Sequence, residues 1–256
     1  MLQFFPRFFK GIRRKGNPEM KRVFAALLFT AISSGVTLAQ TESRADLLDT
    51  VQTKRAELAK LEASLLAVSA EDRSAYSEFL SQPDTGIIRL MPREKFDSYG
   101  SGKSGLTING GGAYYSFARL THEYGQGSDI ALEQGYLKVG FAGADYGMLI
   151  RLEGVAVEDV SSELPGAMFL ANYKAATTEP DARIEQRRFL YNADPVYKQR
   201  VKVEIGATYL LRSINFERSD LLVALKVVRQ DTEGSVIIAW KLLQKYPVPK
   251  LARNNQ

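Results

Sequence analysis

Two apolar runs in the C-terminal third, joined by a short polar loop, constrain the fold of this chain more than any other feature of its sequence. Residues 221–229 and 236–243 are rich in Val, Ile and Leu, which favour β-strands. The loop of residues 231–234 between them ends in a glycine, which suits a turn that needs a positive φ. Neither run alternates strictly between apolar and polar residues, so both strands are expected to be covered on both faces. The pattern predicts a buried antiparallel hairpin.

Shorter segments upstream extend this hairpin into a β-rich domain. Apolar segments separated by glycine-bearing turns predict six further strands, at residues 106–120, 129–133, 136–141, 147–152, 184–190 and 201–205. A helical turn is predicted near residues 168–173, and the Gly- and Pro-bearing residues 83–105 are predicted to be a linker. The expected fold class is mainly β, with an antiparallel β-sandwich or closed-sheet domain over residues 106–256. An N-terminal helical segment over residues 40–82 precedes it.

The first 39 residues have the order of regions that is typical of a secretory signal peptide. Seven Lys and Arg residues, against the single acid Glu19, precede an uncharged run over residues 23–39. Small residues at Thr37 and Ala39 suit a signal peptidase, so cleavage is predicted after Ala39. The alternative is an uncleaved membrane anchor, although 17 residues are few for a hydrocarbon core about 30 Å thick. Met20 offers a second start codon that leaves the mature chain unchanged.

Removal of this segment changes the charge balance of the chain. The sequence has 34 Lys and Arg and 29 Asp and Glu residues, and the first 39 residues carry seven and one of them, which leaves 27 and 28. The nearly neutral mature chain has no basic cluster with interleaved aromatic residues, so nucleic acid is not expected as a partner. The absence of cysteine excludes disulfides and thiolate chemistry. With cleavage of the signal segment after Ala39, the mature protein is predicted to be periplasmic or secreted.

Residues 42–68 are predicted to form a long helix. They contain no Gly or Pro and are rich in Ala, Leu, Glu, Lys and Arg. A 4-7-3-4 spacing of apolar residues becomes a continuous heptad seam if Lys54 fills the gap, and its members are Leu47, Val51, Leu58, Leu61 and Leu65. This face either pairs with a second copy of the chain or packs on the β-domain. Ser69 is predicted to cap a second helix that ends at Leu80.

Candidate catalytic residues are few because the chain has a single histidine. A Ser-His-acid triad would have to use His122, and no Gly-x-Ser-x-Gly motif accompanies it. Asp129 and Asp145, with Glu133 and Glu153 nearby in the sequence, are candidates for hydrolysis by paired carboxylates. A zinc site of two or three histidines is impossible, and neither a metal nor a cofactor is expected.

Residues 110–147 concentrate glycine, tyrosine and charged side chains. The candidate ligand-binding residues are aromatic or charged groups that can stack on a sugar ring or bond to its hydroxyls, namely Tyr114, Tyr115, Arg119, Tyr124 and Tyr146. The alternative is that these tyrosines cover the sheet and bond through their hydroxyls at its rim.

These patterns favour an exported, non-enzymatic binding or structural protein of a bacterial-type cell envelope or of the extracellular space, with carbohydrate as a candidate ligand. One alternative is a secreted hydrolase that uses carboxylates and His122. Another is an envelope scaffold that stays in the membrane through an uncleaved signal segment and self-associates through the long helix.

Overall fold

The computed structural model of the protein describes residues 43–95, 111–122, 124–125, 127–191 and 194–252. The chain divides into two compact units, residues 1–55 and residues 56–256. The predicted signal segment and residues 96–105 of the predicted linker lie outside the described residues. The first five residues of the strand predicted at 106–120 lie outside them as well.

The N-terminal helical segment contains three helices. Helix α1 spans Arg44–Leu65 and has no buried residue. Helices α2 (Ala70–Ala75) and α3 (Ser77–Leu80) follow and are separated by Tyr76. The hydroxyl of Ser69 accepts a hydrogen bond from the Asp72 amide at 3.1 Å, which satisfies a free N–H group at the start of α2. The predicted long helix and the Ser69 cap are confirmed.

Five antiparallel strands form the larger sheet, in the order β1-β9-β8-β7-β5. They span Thr85–Leu90 (β1), Tyr146–Leu152 (β5), Thr208–Asn215 (β7), Ser219–Gln230 (β8) and Val236–Lys245 (β9). The predicted hairpin is the pair β8 and β9, and Gly234 in its loop has a φ of 94°. Leu221, Val223 and Leu225 belong to one apolar cluster, whereas Leu222 and Ala224 belong to another. Both faces of β8 are therefore covered, as the lack of alternation predicts.

Four short strands form the smaller antiparallel sheet, in the order β2-β3-β4-β6. They span Tyr114–Tyr115 (β2), Ile130–Glu133 (β3), Tyr136–Lys138 (β4) and Arg200–Lys202 (β6). Within the described residues neither sheet closes on itself, so the closed-sheet alternative is wrong. Barrels with a packed interior have about eight strands, and neither sheet reaches that number.

Two helices lie between β5 and β6 in the sequence and make the described fold mixed in class. Helix α4 spans Pro165–Asn172, in agreement with the helical turn predicted near residues 168–173. Helix α5 spans Glu179–Leu190, so the strand predicted at residues 184–190 is wrong. Thr178 caps α5 by accepting a hydrogen bond from the Asp181 amide at 3.3 Å. Ala182 and Phe189, which are seven residues apart and so share one side of a helix, are its buried residues.

The sequence pattern does not predict two strands of the larger sheet. Strand β1 lies in the predicted linker, where Gly86 suggests a loop. That glycine instead allows close packing, because a Cβ atom there would lie 2.5 Å from the ring of Trp240. Strand β7 carries Arg212 at its centre, yet all eight of its residues are buried. A fully buried arginine is rare. A search of the sequence for apolar runs therefore does not predict this strand.

Candidate functional site

Helix α1 presents its heptad seam to solvent. The five apolar seam residues keep 44% to 68% of their surface exposed, and they are Leu47, Val51, Leu58, Leu61 and Leu65. Their spacing places them on one side of the helix. Helices in proteins are stabilised mostly by packing of an apolar face. An apolar seam on a helix without a buried residue is therefore a candidate contact surface.

His122 follows a short bridge between Ser116 and Thr121. Its Nδ1 lies 3.0 Å from the carbonyl oxygen of Tyr114. Since a carbonyl oxygen only accepts, Nδ1 carries the proton in this contact. The imidazole also packs edge-on against the Tyr115 ring, with 5.1 Å between centroids. Burial lowers the pKa of His122, and the hydrogen bond to Tyr114 opposes that shift, so the neutral ring is favoured.

Asp129 directly precedes β3 and is completely buried. Its Oδ1 accepts hydrogen bonds from the Ser213 hydroxyl at 2.7 Å and from Nδ2 of Asn215 at 2.8 Å. Its Oδ2 accepts one from the Phe117 amide at 2.7 Å. Burial raises the pKa of this carboxyl, and the hydrogen bonds oppose the rise. The carboxylate therefore links β7 of the larger sheet to the segment that follows β2 of the smaller one.

Asp145 directly precedes β5 and is 7% exposed. Its Oδ1 accepts a hydrogen bond at 2.8 Å from the amide of Phe216, in the turn between β7 and β8. Burial raises the pKa of Asp145 to about 6, the Phe216 amide and the charge of Arg218 oppose the rise, and the charge of Asp129 adds to it. This carboxyl titrates closer to neutral pH than an ordinary aspartate does.

The three candidate catalytic residues, His122, Asp129 and Asp145, form hydrogen bonds that hold segments of the fold in position. A general acid, base or nucleophile must come within hydrogen-bonding reach of a substrate. The carboxyl group of Asp129 is fully enclosed and that of Asp145 nearly so, and both carboxylates accept hydrogen bonds from residues at the β7–β8 turn or next to it. The geometry suits positioning of that turn better than hydrolysis.

The tyrosines considered as ligand-binding residues are divided between interior and surface. Tyr114, Tyr115 and Tyr146 are buried, whereas Tyr124 is 45% exposed. The Tyr114 ring packs edge-on against Tyr124, with 4.9 Å between centroids. Burial raises the pKa of Tyr115 to about 12, and the charge of Asp129 adds to the shift. Of these four rings Tyr124 alone is available for stacking on a ligand, and Arg119, five positions earlier in the sequence, is exposed as well.

No sequence pattern predicts the chain of hydrogen bonds that lies near α4 and α5. The Tyr146 hydroxyl accepts a hydrogen bond from the Ala176 amide at 3.0 Å and lies 3.0 Å from the hydroxyl of Tyr173. Tyr173 donates its proton to Oε2 of Glu185 at 2.9 Å, so Tyr146 must donate to Tyr173. Burial raises the pKa of both phenols. Tyr173 and Glu185 line a surface cavity of about 330 Å³, where Glu185 pairs with Arg188 at 3.5 Å.

The described residues contain no group of three or more His, Cys, Asp or Glu side chains that could hold a metal ion. In the same part of the chain, no helix is both long enough and apolar enough to cross a membrane. No family model, curated protein or solved structure matches this chain. Its function is therefore inferred from its own residues and their geometry.

The candidate sites differ in how exposed their residues are. His122, Asp129 and Asp145 bond to backbone and side-chain groups of the fold. Three of the four candidate tyrosines lie in the interior. The five apolar residues of the seam, in contrast, are all exposed, and a group of exposed apolar residues marks an interaction surface.

Proposed function

We propose that this chain is an exported, non-enzymatic structural protein that self-associates through the α1 seam. The observation that carries the proposal is the exposure of all five apolar seam residues on a helix without a buried residue. Full burial of a leucine side chain contributes roughly 1.5–3 kcal/mol, and burial of the seam leucines against a second seam offsets the entropic cost of association. The β-rich domain is then the part of the chain that the assembled helices hold in place.

We propose in addition that the β-rich domain is a β-sandwich. One apolar cluster contains Leu149, Leu211 and Val223 of the larger sheet together with Leu132 and Leu137 of the smaller sheet. Shared burial of side chains from two sheets is the arrangement expected when the sheets pack face to face.

Export is proposed from the basic and then apolar order of residues 1–39. The location is then the periplasm or the extracellular space of a bacterial-type cell. Sequencing of the mature N-terminus is expected to begin at Gln40. Recovery of a chain that keeps residues 23–39 in the membrane fraction would instead favour the membrane-anchored form of the same scaffold.

Carbohydrate binding and hydrolysis receive less support than self-association. Asp129, Asp145 and three of the four candidate tyrosines are buried. A ligand or substrate would have to displace packed side chains to reach them.

The self-association proposal is tested by the mass of residues 40–256 in solution. Light scattering over a range of concentrations is expected to give at least twice the chain mass for the wild type. The double variant Leu58→Gln/Leu61→Gln is expected to give the mass of one chain, because it places two polar side chains in the seam. Glutamine is a good helix former, so the substitutions leave the helix propensity of α1 nearly unchanged.

Substitution is a sharper test than deletion of the helical segment. Val68 is buried with Ile87 and Ile237, and the carbonyl oxygen of Ala67 accepts a hydrogen bond from Nε of Arg89 at 3.2 Å. Removal of these residues would damage the β-domain itself. Ala59→Gln/Ala63→Gln is the matched control, because both alanines are exposed on α1 outside the seam. A monomeric wild type, or equal masses for the wild type and the seam variant, would contradict the proposal.

A further inference from the structure

The seam of α1 contains one charged position, and this position distinguishes the two ways in which a pair of helices can align. In the heptad repeat Val51, Leu58 and Leu65 occupy the a positions, and Leu47, Lys54 and Leu61 the d positions. Lys54 is thus a core position flanked by apolar neighbours on both sides. Its place opposite the second helix depends on whether the helices run parallel or antiparallel.

Parallel alignment brings like charges together. Each seam residue would then face its own copy, so the two Lys54 ammonium groups would meet in one layer. The side of α1 that carries Lys54 and Glu57 would face the side of the second copy that carries Arg55 and Glu62. Lys54 would lie beside Arg55 of the second copy, and Glu57 beside Glu62 of the second copy. All three contacts are repulsive.

Antiparallel alignment in one register separates these three pairs of like charges. With Ala56 at the centre, Leu47 faces Leu65 of the second copy, and Val51 faces Leu61 of the second copy. Lys54 then faces Leu58 of the second copy, so all six seam positions are matched. The aliphatic stem of a lysine packs on apolar surface while its ammonium group reaches the edge.

The same register also places each Lys54 beside an opposite charge of the second copy. In an antiparallel pair the equivalent sides of the two helices face each other, so the side with Lys54 and Glu57 meets its own copy. At 1.5 Å per residue, Lys54 lies within about one residue's rise of Glu57 of the second copy. Each Lys54 then lies beside Glu57 of the second copy. Two like-charged contacts remain in this register. The two Glu57 side chains lie about 3 Å apart along the axis on the same edge, and the two Arg55 side chains meet on the opposite edge. Both edges face water, which screens these contacts.

We propose that two copies of this chain pair through α1 as an antiparallel dimer centred on Ala56, with Lys54 of each copy beside Glu57 of the other. This inference rests on the proposed self-association and adds the direction and register of the pairing.

Single-cysteine variants test the alignment cleanly, because the chain has no cysteine of its own. A disulfide requires Cα atoms about 4.4–6.8 Å apart. In the antiparallel pair, residue 51 of one copy lies beside residue 61 of the other. Two residues 51, or two residues 61, lie about 15 Å apart along the axis. Val51→Cys and Leu61→Cys are purified separately, mixed, equilibrated and oxidised, and the cross-linked dimer is measured by non-reducing electrophoresis.

The expected result is that the mixture cross-links up to about half of its chains, because random exchange makes half of the dimers mixed. Each variant alone is expected to cross-link roughly tenfold less, since its cysteines are too far apart. Efficient cross-linking of each variant alone would show parallel pairing and overturn the inference while leaving self-association intact. A wild type of dimeric mass with no cross-link in any sample would exclude the seam in this register. A monomeric wild type would overturn the proposed self-association itself.

Discussion

The guanidinium of Arg212 on β7 and the carboxylate of Asp220 on β8 form a buried two-point ion pair. Nε lies 2.5 Å from Oδ1, and Nη2 lies 2.9 Å from Oδ2. Nη1 donates to the carbonyl oxygen of Leu170 in α4 at 2.8 Å, and the guanidinium lies over the ring of Tyr246. Burial raises the pKa of Asp220, and its bonds to Arg212 oppose the rise. The pair therefore connects two strands, a helix and the segment that follows β9.

Asp220→Asn is expected to lower the free energy of unfolding by about 3–5 kcal/mol, because it leaves the Arg212 charge buried without a counterion. Urea unfolding followed by circular dichroism measures the change. Glu204→Gln is the control, since Glu204 pairs with Arg151 at the exposed surface, and the expected loss there is at most about 1 kcal/mol. Losses of similar size in the two variants would contradict a structural role for the buried pair.

Asp129→Asn is expected to lower the free energy of unfolding by about 1–3 kcal/mol, although it changes neither size nor shape. Both carboxylate oxygens accept hydrogen bonds from donors, so the new NH₂ group must face a donor and leave it unsatisfied. Ser213→Ala removes one of the donors to Oδ1 and is expected to cost about 1 kcal/mol. Urea unfolding again provides the measurement. An Asn variant as stable as the wild type would indicate that this carboxylate does not hold the fold and would renew interest in it as a reactive group.

The hairpin β8–β9 and helix α1 could be predicted from the sequence because their signals are local. Val, Ile and Leu runs around Gly234 define the hairpin, and a stretch without Gly or Pro defines the helix. Strand β7 could not be predicted in this way, because Arg212 acquires its partner only when β8 pairs with β7. The apolar run near residue 184 belongs to α5, where the Thr178 cap and the helical spacing of Ala182 and Phe189 decide the structure.

The candidate site residues also differ in whether the local sequence determines their surroundings. The α1 seam is a periodic pattern within one helix, so sequence suffices to place Leu58 and Leu61 on one side. The surroundings of Asp129 depend on Ser213 and Asn215, more than 80 positions later in the chain. Whether a carboxylate at such a position is a solvated acid or a buried acceptor is decided by tertiary packing.

The contribution of Asp145 to stability is expected to fall as the pH rises from about 4 to about 6. The folded-state pKa of this carboxyl is raised from 3.8 to about 6, so in this window Asp145 binds more protons in the folded protein than in the unfolded chain. Asp145→Asn removes this contribution. The difference in unfolding free energy between wild type and variant is expected to change across the window and to level off above about pH 7.

Asp194→Asn provides a control of opposite sign. The Asp194 carboxylate accepts hydrogen bonds from the Tyr197 and Val196 amides and pairs with Arg188; although burial opposes them, these contacts hold its pKa below the ordinary value. Its contribution to stability is present above the ordinary pKa and is lost as the pH falls. Urea unfolding from pH 3.5 to 7.5 on the wild type and the two variants separates the effects. A wild type and Asp145 variant with parallel pH profiles would contradict the assignment.

Gly86→Ala is expected to destabilise the protein by about 1–3 kcal/mol, the usual cost of forcing extra volume into a packed core. A Cβ atom at this position would lie 2.5 Å from two atoms of the Trp240 ring. Gly166→Ala is the matched control: its Cβ would meet only the end of the Leu152 side chain, at 3.2 Å. Alanine also favours the helix at that position by up to about 1 kcal/mol, so this variant is expected to be as stable as the wild type or more stable. Thermal unfolding of the two variants measures the contrast. If Gly86→Ala were as stable as Gly166→Ala, β1 would not be packed on Trp240, and residues 83–90 would have to be regarded as the linker that their composition suggests.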